Sequence, residues 1–228
     1  MTFDHYARQY DEDLQKGIRI SGETKEFFIR GRLALARDLF ERVGFRPRRI
    51  LEFGCGIGNN LTVMRELWPD ADLVGLDNSE TSLEVARERF GSGTIRLRTP
   101  EGHRQVREEP ADWVYCNGVL HHIPVPEREG ALRTIRDLLR DGGVFSAFEN
   151  NPFNPGARLV MRMIPFDRDA VMINPYHLAA RLATLRFERI SCHFLFAFPR
   201  FLSLLRPLEP YLRQIPIGAQ YGVFAFRR

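Results

Sequence analysis

Apolar positions along the chain first recur at helical spacing. Between residues 26 and 43, Phe28, Leu35, Leu39 and Val43 share one face, and Gly44 follows as a stop signal. From Arg49 the pattern changes to short apolar runs separated by helical stretches. The runs at 48–53, 72–77, 94–98, 112–117 and 142–149 read as strands. A glycine cluster follows the first run and leads into a helix ending near Trp68. Ser79 caps the helix after the second run, and Gly91 ends it. Pro126 starts a further helix, with Leu132, Ile135 and Leu139 on one face, and Asp141-Gly142-Gly143 closes it.

After Glu149 the pattern loosens. Asn174-Pro175 is a cap and first-turn pair opening a helix, and 187–198 and 219–226 read as strands. Alternating strands and helices predict an α/β protein, a mostly parallel sheet with helices on both faces. The expected organisation is one domain over residues 1–228. A helical N-terminal cap spans 1–45, a ligand-binding core 46–150, and C-terminal strands with insertions 151–228.

Composition narrows the class. The 228 residues are 44% hydrophobic and 27% charged, which excludes a disordered or fibrous chain. Of the 33 basic residues only Lys16 and Lys25 are lysines, and the net charge is +4. Arginines lie among acids, as in Arg87-Glu88-Arg89, so solvated surface pairs explain most of them and no nucleic-acid groove is expected. Cys55, Cys116 and Cys192 are far apart and form no CxxC pair. No disulfide framework and no metal site is expected from them. There is neither an apolar leader nor a run of 18 apolar residues, so a cytoplasmic protein without a transmembrane segment is the expectation. Oligomeric state is not legible.

Chemistry concentrates in LEFGCGIGN, residues 51–59, where a strand ending in an acid enters a G-x-G-x-G turn before a helix. Glycines allow the sharp turn and the close approach of a ligand. Asp77 ends the second strand, 19 residues after Gly58, where an acid accepts both hydroxyls of a ribose. A dinucleotide fingerprint would place a third glycine at Asn59, and a pyrophosphate would sit poorly beside Glu52. S-adenosylmethionine has no phosphate and carries an ammonium and a sulfonium, so a carboxylate beside the loop suits it.

Four segments in order, LEFGCGIGN, LVGLDNS, DWVYCNGVLHHIP and LLRDGGVFSAFE, resemble the class I S-adenosylmethionine-dependent methyltransferases of the small-molecule type, over 49–149. The resemblance implies a Rossmann-like seven-stranded methyltransferase sheet with an antiparallel C-terminal strand, and S-adenosyl-L-methionine as cofactor. It implies that Gly54, Cys55, Gly56, Gly58 and Asn59 wrap the methionine part. Glu52 would hold the loop and the ammonium, and Asp77, with Asn78 and Ser79, the ribose. Asn117, Gly118 and Val119 would line the methionine side, and Thr99 or Glu101 the adenine. Tyr6 and Tyr10 would close over the cofactor, or pack an N-terminal helix.

His121 and His122 are the expected catalytic residues, one of them facing the transferring methyl as a base, with more weight on His122. In an extended turn they would point to opposite sides, a poor two-ligand metal site. Glu149, Asn150 and Asn151 end the fifth strand on the substrate side, or form a turn and cap. The apolar stripe Phe201, Leu205, Leu208 and Leu212, interrupted by arginines, fits core packing first, then a lid or a membrane or dimer contact. The expected function is methyl transfer to a small-molecule O- or N-nucleophile. A nucleic-acid methyltransferase and a degenerate cofactor-binding interaction protein are the alternatives.

Overall fold

A computed structural model describes residues 10–91, 95–99, 109–164, 167 and 170–228; of Tyr10, Glu12 and Asp13 it describes the backbone only. Seven strands form one sheet: β1 Arg49–Phe53, β2 Asp72–Leu76, β3 Arg96–Arg98, β4 Ala111–Asn117, β5 Leu139–Asn150, β6 Phe187–Leu195 and β7 Gln220–Arg227. Their spatial order is β3-β2-β1-β4-β5-β7-β6. β1 to β5 pair in parallel, and β7 lies antiparallel between β5 and β6. Strand order reverses between β1 and β4, and at such a point the loops leaving the carboxyl ends of the strands part to open a crevice.

The central strands are mostly apolar because helices cover both their faces. In β4, Trp113 and Tyr115 are completely buried on one side and Val114 and Cys116 on the other. Trp113 meets Phe40 and Trp68 edge-on, and its indole N–H donates to Ser146 Oγ at 2.8 Å, so the large ring is buried without an orphaned donor. Phe40 belongs to helix α2, Lys25–Val43, which follows α1, Tyr10–Ile18. Thr24 caps α2 by accepting from the Phe27 N–H, and Gly44 ends it in the left-handed region. Helix α3, Asn59–Leu67, follows the glycine turn, and α4, Glu80–Phe90, starts at Ser79, whose hydroxyl accepts from the Ser82 N–H. Helix α5 is Arg128–Leu138, α6 Pro155–Met163 and α7 Pro175–Thr184. The Asn174 side chain caps α7 as expected.

Several boundaries differ from the sequence expectation. Helix α5 is preceded by a 3-10 turn, Val125–Glu127, that takes up Pro126. Leu139 leaves the helix and opens β5, pairing with Ala111, so its side chain is buried by the sheet rather than by a helical face. Strand β6 ends at Leu195, because Phe196 turns into the left-handed region.

The 198–217 stretch does not pack into the core. Its 3-10 run Arg200–Leu208 has no buried residue, and Phe201, Leu204 and Tyr211 are 80, 93 and 83% exposed. Pro207 and Pro210 prevent the regular helix needed to turn the stripe inward. Polar contacts fasten it instead. Arg206 pairs with Glu23 at 2.6 Å and lies over the Phe27 ring, and Arg213 pairs with Asp38 at 2.7 Å. No described helix is long and apolar enough to cross a membrane.

Candidate active site

One cavity of about 740 Å³ opens at the carboxyl ends of β1, β4 and β5, beneath α1 and α2. The glycine turn forms one wall. Asp77, at the end of β2, accepts from the Gly56 N–H at 2.7 Å through Oδ2 and from the Ser79 N–H at 2.9 Å through Oδ1. One carboxylate thus ties the turn to the start of α4. Gly54 and Gly56 both have positive φ, which costs a side-chain-bearing residue about 1–2 kcal/mol. They differ in surroundings. A Cβ on Gly54 would collide with Val119, whereas one on Gly56 would meet no atom of the described residues within 4 Å and would project into open space.

Behind this wall Glu52 is completely buried. Its Oε1 accepts from Asn60 Nδ2 at 2.6 Å, and its Oε2 has no hydrogen-bond partner among the described residues. Burial pushes its carboxyl up to about 8, against the opposing pull of Asn60 and Arg32. An unpartnered buried oxygen beside a cavity is a place for a donor, and a ligand ammonium or a bridging water satisfies it. Arg32 lines the cavity from α2, donating to the Tyr115 hydroxyl at 3.2 Å and to Gln220 Oε1 at 3.0 Å. Lys25 Nζ, on the same helix, lies 2.7 Å from Asp11 Oδ2 and 3.2 Å from Asn59 Oδ1.

The opposite wall follows β4. Asn117, Gly118 and Val119 line the cavity and lead into a 3-10 turn, Leu120–His122. That turn corrects the extended geometry expected for the histidine pair: the two rings lie on the same side, with centroids 4.1 Å apart. His121 is buried. Its Nδ1 pairs with Glu149 Oε2, and its Nε2 lies 3.3 Å from Asp167 Oδ1. His122 is half-buried, with Nε2 3.2 Å from the same Asp167 oxygen. Burial disfavours a charged His121, but the two carboxylates outweigh it and push the imidazole up to about 10. His121 is therefore a proton carrier held between two acids and is unsuited to take a proton near neutrality. The same histidines hold Asp167 below the usual carboxylate range despite its burial.

Of the residues expected at the cofactor, Gly54, Cys55, Gly56, Asn59, Asp77, Asn78, Ser79, Asn117, Gly118 and Val119 line this cavity, as do His121, His122, Glu149 and Asn150. Glu52 and Gly58 stand behind the wall, and a Cβ on Gly58 would collide with Phe90. Thr99 is not among the lining residues. Asn151 is buried away from it, donating to the Pro216 and Gly218 carbonyls. Tyr6, Glu101 and the side chain of Tyr10 lie outside the described residues.

Two participants escaped the sequence reading. Arg32 stands on the inward face of α2 between Ile29 and Ala36, and an arginine at that spacing on an apolar stripe is a usable signal. Asp167 sits in a stretch without periodicity, 46 residues from His121, and nothing local marks it.

Comparison with known proteins fits this geometry. The methyltransferase domain family profile matches residues 51–145. The trans-aconitate 2-methyltransferase of Methylobacterium radiotolerans is 30% identical over 152 residues, 66% of this chain and 57% of that protein. The enzyme of the same name from Variovorax paradoxus is 32% identical over 152 residues, 66% of this chain and 56% of that protein. The chain thus spans little more than half the length of these relatives. Among solved structures, a Thermotoga maritima S-adenosylmethionine-dependent methyltransferase, described as a possible histamine N-methyltransferase, superposes with a TM-score of 0.69 at 17% identity, covering 99% of this chain and 98% of that one. Residues 51–145 thus carry a methyltransferase domain of the class I S-adenosylmethionine-dependent kind, on a fold shared with solved methyltransferases.

Proposed function

We propose that the protein is a single-domain methyltransferase that uses S-adenosylmethionine to methylate a small molecule bearing an oxygen nucleophile. The observation that carries this reading is one cavity walled on one side by an Asp77-tethered glycine turn and on the other by a histidine–carboxylate cluster. The residues fit the cofactor. Asp77 suits a ribose diol, the open space at Gly56 admits a ligand against the backbone, and the orphaned Glu52 Oε2 suits an ammonium. Arg32 is the cation placed to meet a carboxylate in the same cavity. Bound there, S-adenosylmethionine supplies an electrophilic methyl carbon on a sulfonium.

The remaining work is alignment and proton handling. Walls drawn from β1, β4, β5 and α2 hold an acceptor at a fixed approach, which supplies much of the acceleration in displacement chemistry. His122, half-buried and backed by Asp167, is the side chain suited to take a proton from an acceptor hydroxyl. His121 and Glu149 position that pair. An already ionised carboxylate, such as trans-aconitate offers, needs no base, and a neutral amine needs little. A cytoplasmic setting belongs to the same reading, supported by three cysteines none of which is paired.

The test is calorimetric binding of S-adenosylhomocysteine, followed by labelled-methyl transfer to a fractionated metabolite extract, with trans-aconitate as one defined acceptor. Binding with transfer to a compound of low mass is the expected result. No binding, or labelling confined to nucleic acid, overturns the reading.

A further inference from the structure

We propose that His121, His122 and Asp167 form a binding site for a divalent transition-metal ion of the zinc type. One ligand atom from each residue lies within 4.8 Å of the other two. The Asp167 Oδ1 is 3.3 Å from His121 Nε2 and 3.2 Å from His122 Nε2. Donors held about 2.0–2.1 Å from a tetrahedral zinc ion stand about 3.3–3.4 Å apart, so two edges of such a polyhedron are already formed. The 3-10 turn makes this possible by bringing consecutive imidazoles to one side.

Outer contacts favour the same assignment. His121 Nδ1 faces Glu149, whose other oxygen accepts from the Leu120 N–H at 2.9 Å, and this leaves Nε2, which faces Asp167, to ligate a metal that displaces its proton. A metal-bound histidine usually hands its second nitrogen to a carboxylate in this way. The Arg128 guanidinium donates to the Val171 carbonyl at 2.8 Å and the His121 carbonyl at 3.4 Å, and the Val171 N–H returns a bond to His121 O. The turn is thereby held in place against the segment that follows Asp167. Two imidazoles and one carboxylate select zinc, cobalt or iron over magnesium or calcium, which prefer all-oxygen sets.

All three ligands line the cavity, so positions not taken by protein face the bound small molecule. There the ion would take an acceptor oxygen and lower its proton affinity, replacing the imidazole base. That use rests on the proposed methyl transfer, whereas occupation of the site does not.

The experiment is a titration of chelator-treated, full-length protein with zinc by calorimetry and with cobalt by visible absorption. S-adenosylhomocysteine binding and thermal melting are measured on the same samples. One ion per chain is expected, with cobalt giving the intense visible bands of a four-coordinate site. His122→Ala, Asp167→Asn and Glu149→Gln should each weaken zinc binding about 10- to 100-fold or more. Failure of wild-type protein to bind either ion overturns the proposal, as does stoichiometric binding that His122→Ala and Asp167→Asn leave unchanged. If a substituted protein melts early, the wild-type titration still decides. Because cofactor-product binding is read separately, loss of the metal result leaves the methyltransferase reading standing, and the converse holds.

Discussion

Replacing Glu52 by glutamine tests whether the carboxyl behind the glycine turn is held protonated by burial. Its titration rises from 4.5 to about 8, with burial as the largest cause. The unfolded chain releases this proton near 4.5, while the folded protein keeps it to about 8. Between those values the folded state binds more protons, so stability falls as pH rises through the window. A rise of about 3.5 pH units corresponds to about 5 kcal/mol between the plateaus. Glutamine keeps the shape and an acceptor for Asn60 Nδ2 but cannot ionise, so the variant should lose this slope. Its advantage over wild type should grow to a few kcal/mol at about pH 8.5. Urea unfolding at several pH values reads the slope, and calorimetry with S-adenosylhomocysteine reads the function. Binding should weaken, because the carboxyl can give up its proton beside an arriving ligand ammonium and the amide cannot. Parallel stability curves for the two proteins across this window would refute the reasoning.

Asp77→Ala removes the acceptor of two N–H groups and a ribose partner, so affinity for S-adenosylhomocysteine should fall about 10- to 100-fold by calorimetry. Gly56→Ala should lower that affinity while costing only about 1–2 kcal/mol of stability in urea, since the added methyl enters open space. Gly58→Ala, pressed against Phe90, should cost more stability in the same assay. Arg30→Ala, which breaks exposed pairs with Glu26 and Glu66, should leave the urea unfolding midpoint essentially unchanged, because solvent screens such pairs.

What the sequence revealed follows from how local each signal is. Strand β1, its glycine turn and Asp77 were legible because strand, turn and cap are written in adjacent residues, and the parallel sheet followed from their alternation. The antiparallel β7 needed the family resemblance, since its place between β5 and β6 is set by distant pairing. The histidine pair was found but its geometry was misjudged, because a single 3-10 turn reverses which side each ring faces. Asp167 was invisible for the opposite reason: its role exists only through contacts made across the fold. The exposed 198–217 stretch shows the limit of periodicity, as an apolar stripe specifies a face only where the backbone is a regular helix.

The arginine-for-lysine bias has a practical consequence at the cavity. Lys16 lies exposed on α1, whereas Lys25 sits in the cavity wall between Asp11 and Asn59, with 27% of its side chain exposed. With only two lysine amines in the sequence, acylating reagents have almost no background to report. The ratio of Lys25 to Lys16 modification, read by peptide mass, becomes an occupancy gauge for the cavity, with its reference built into the same molecule.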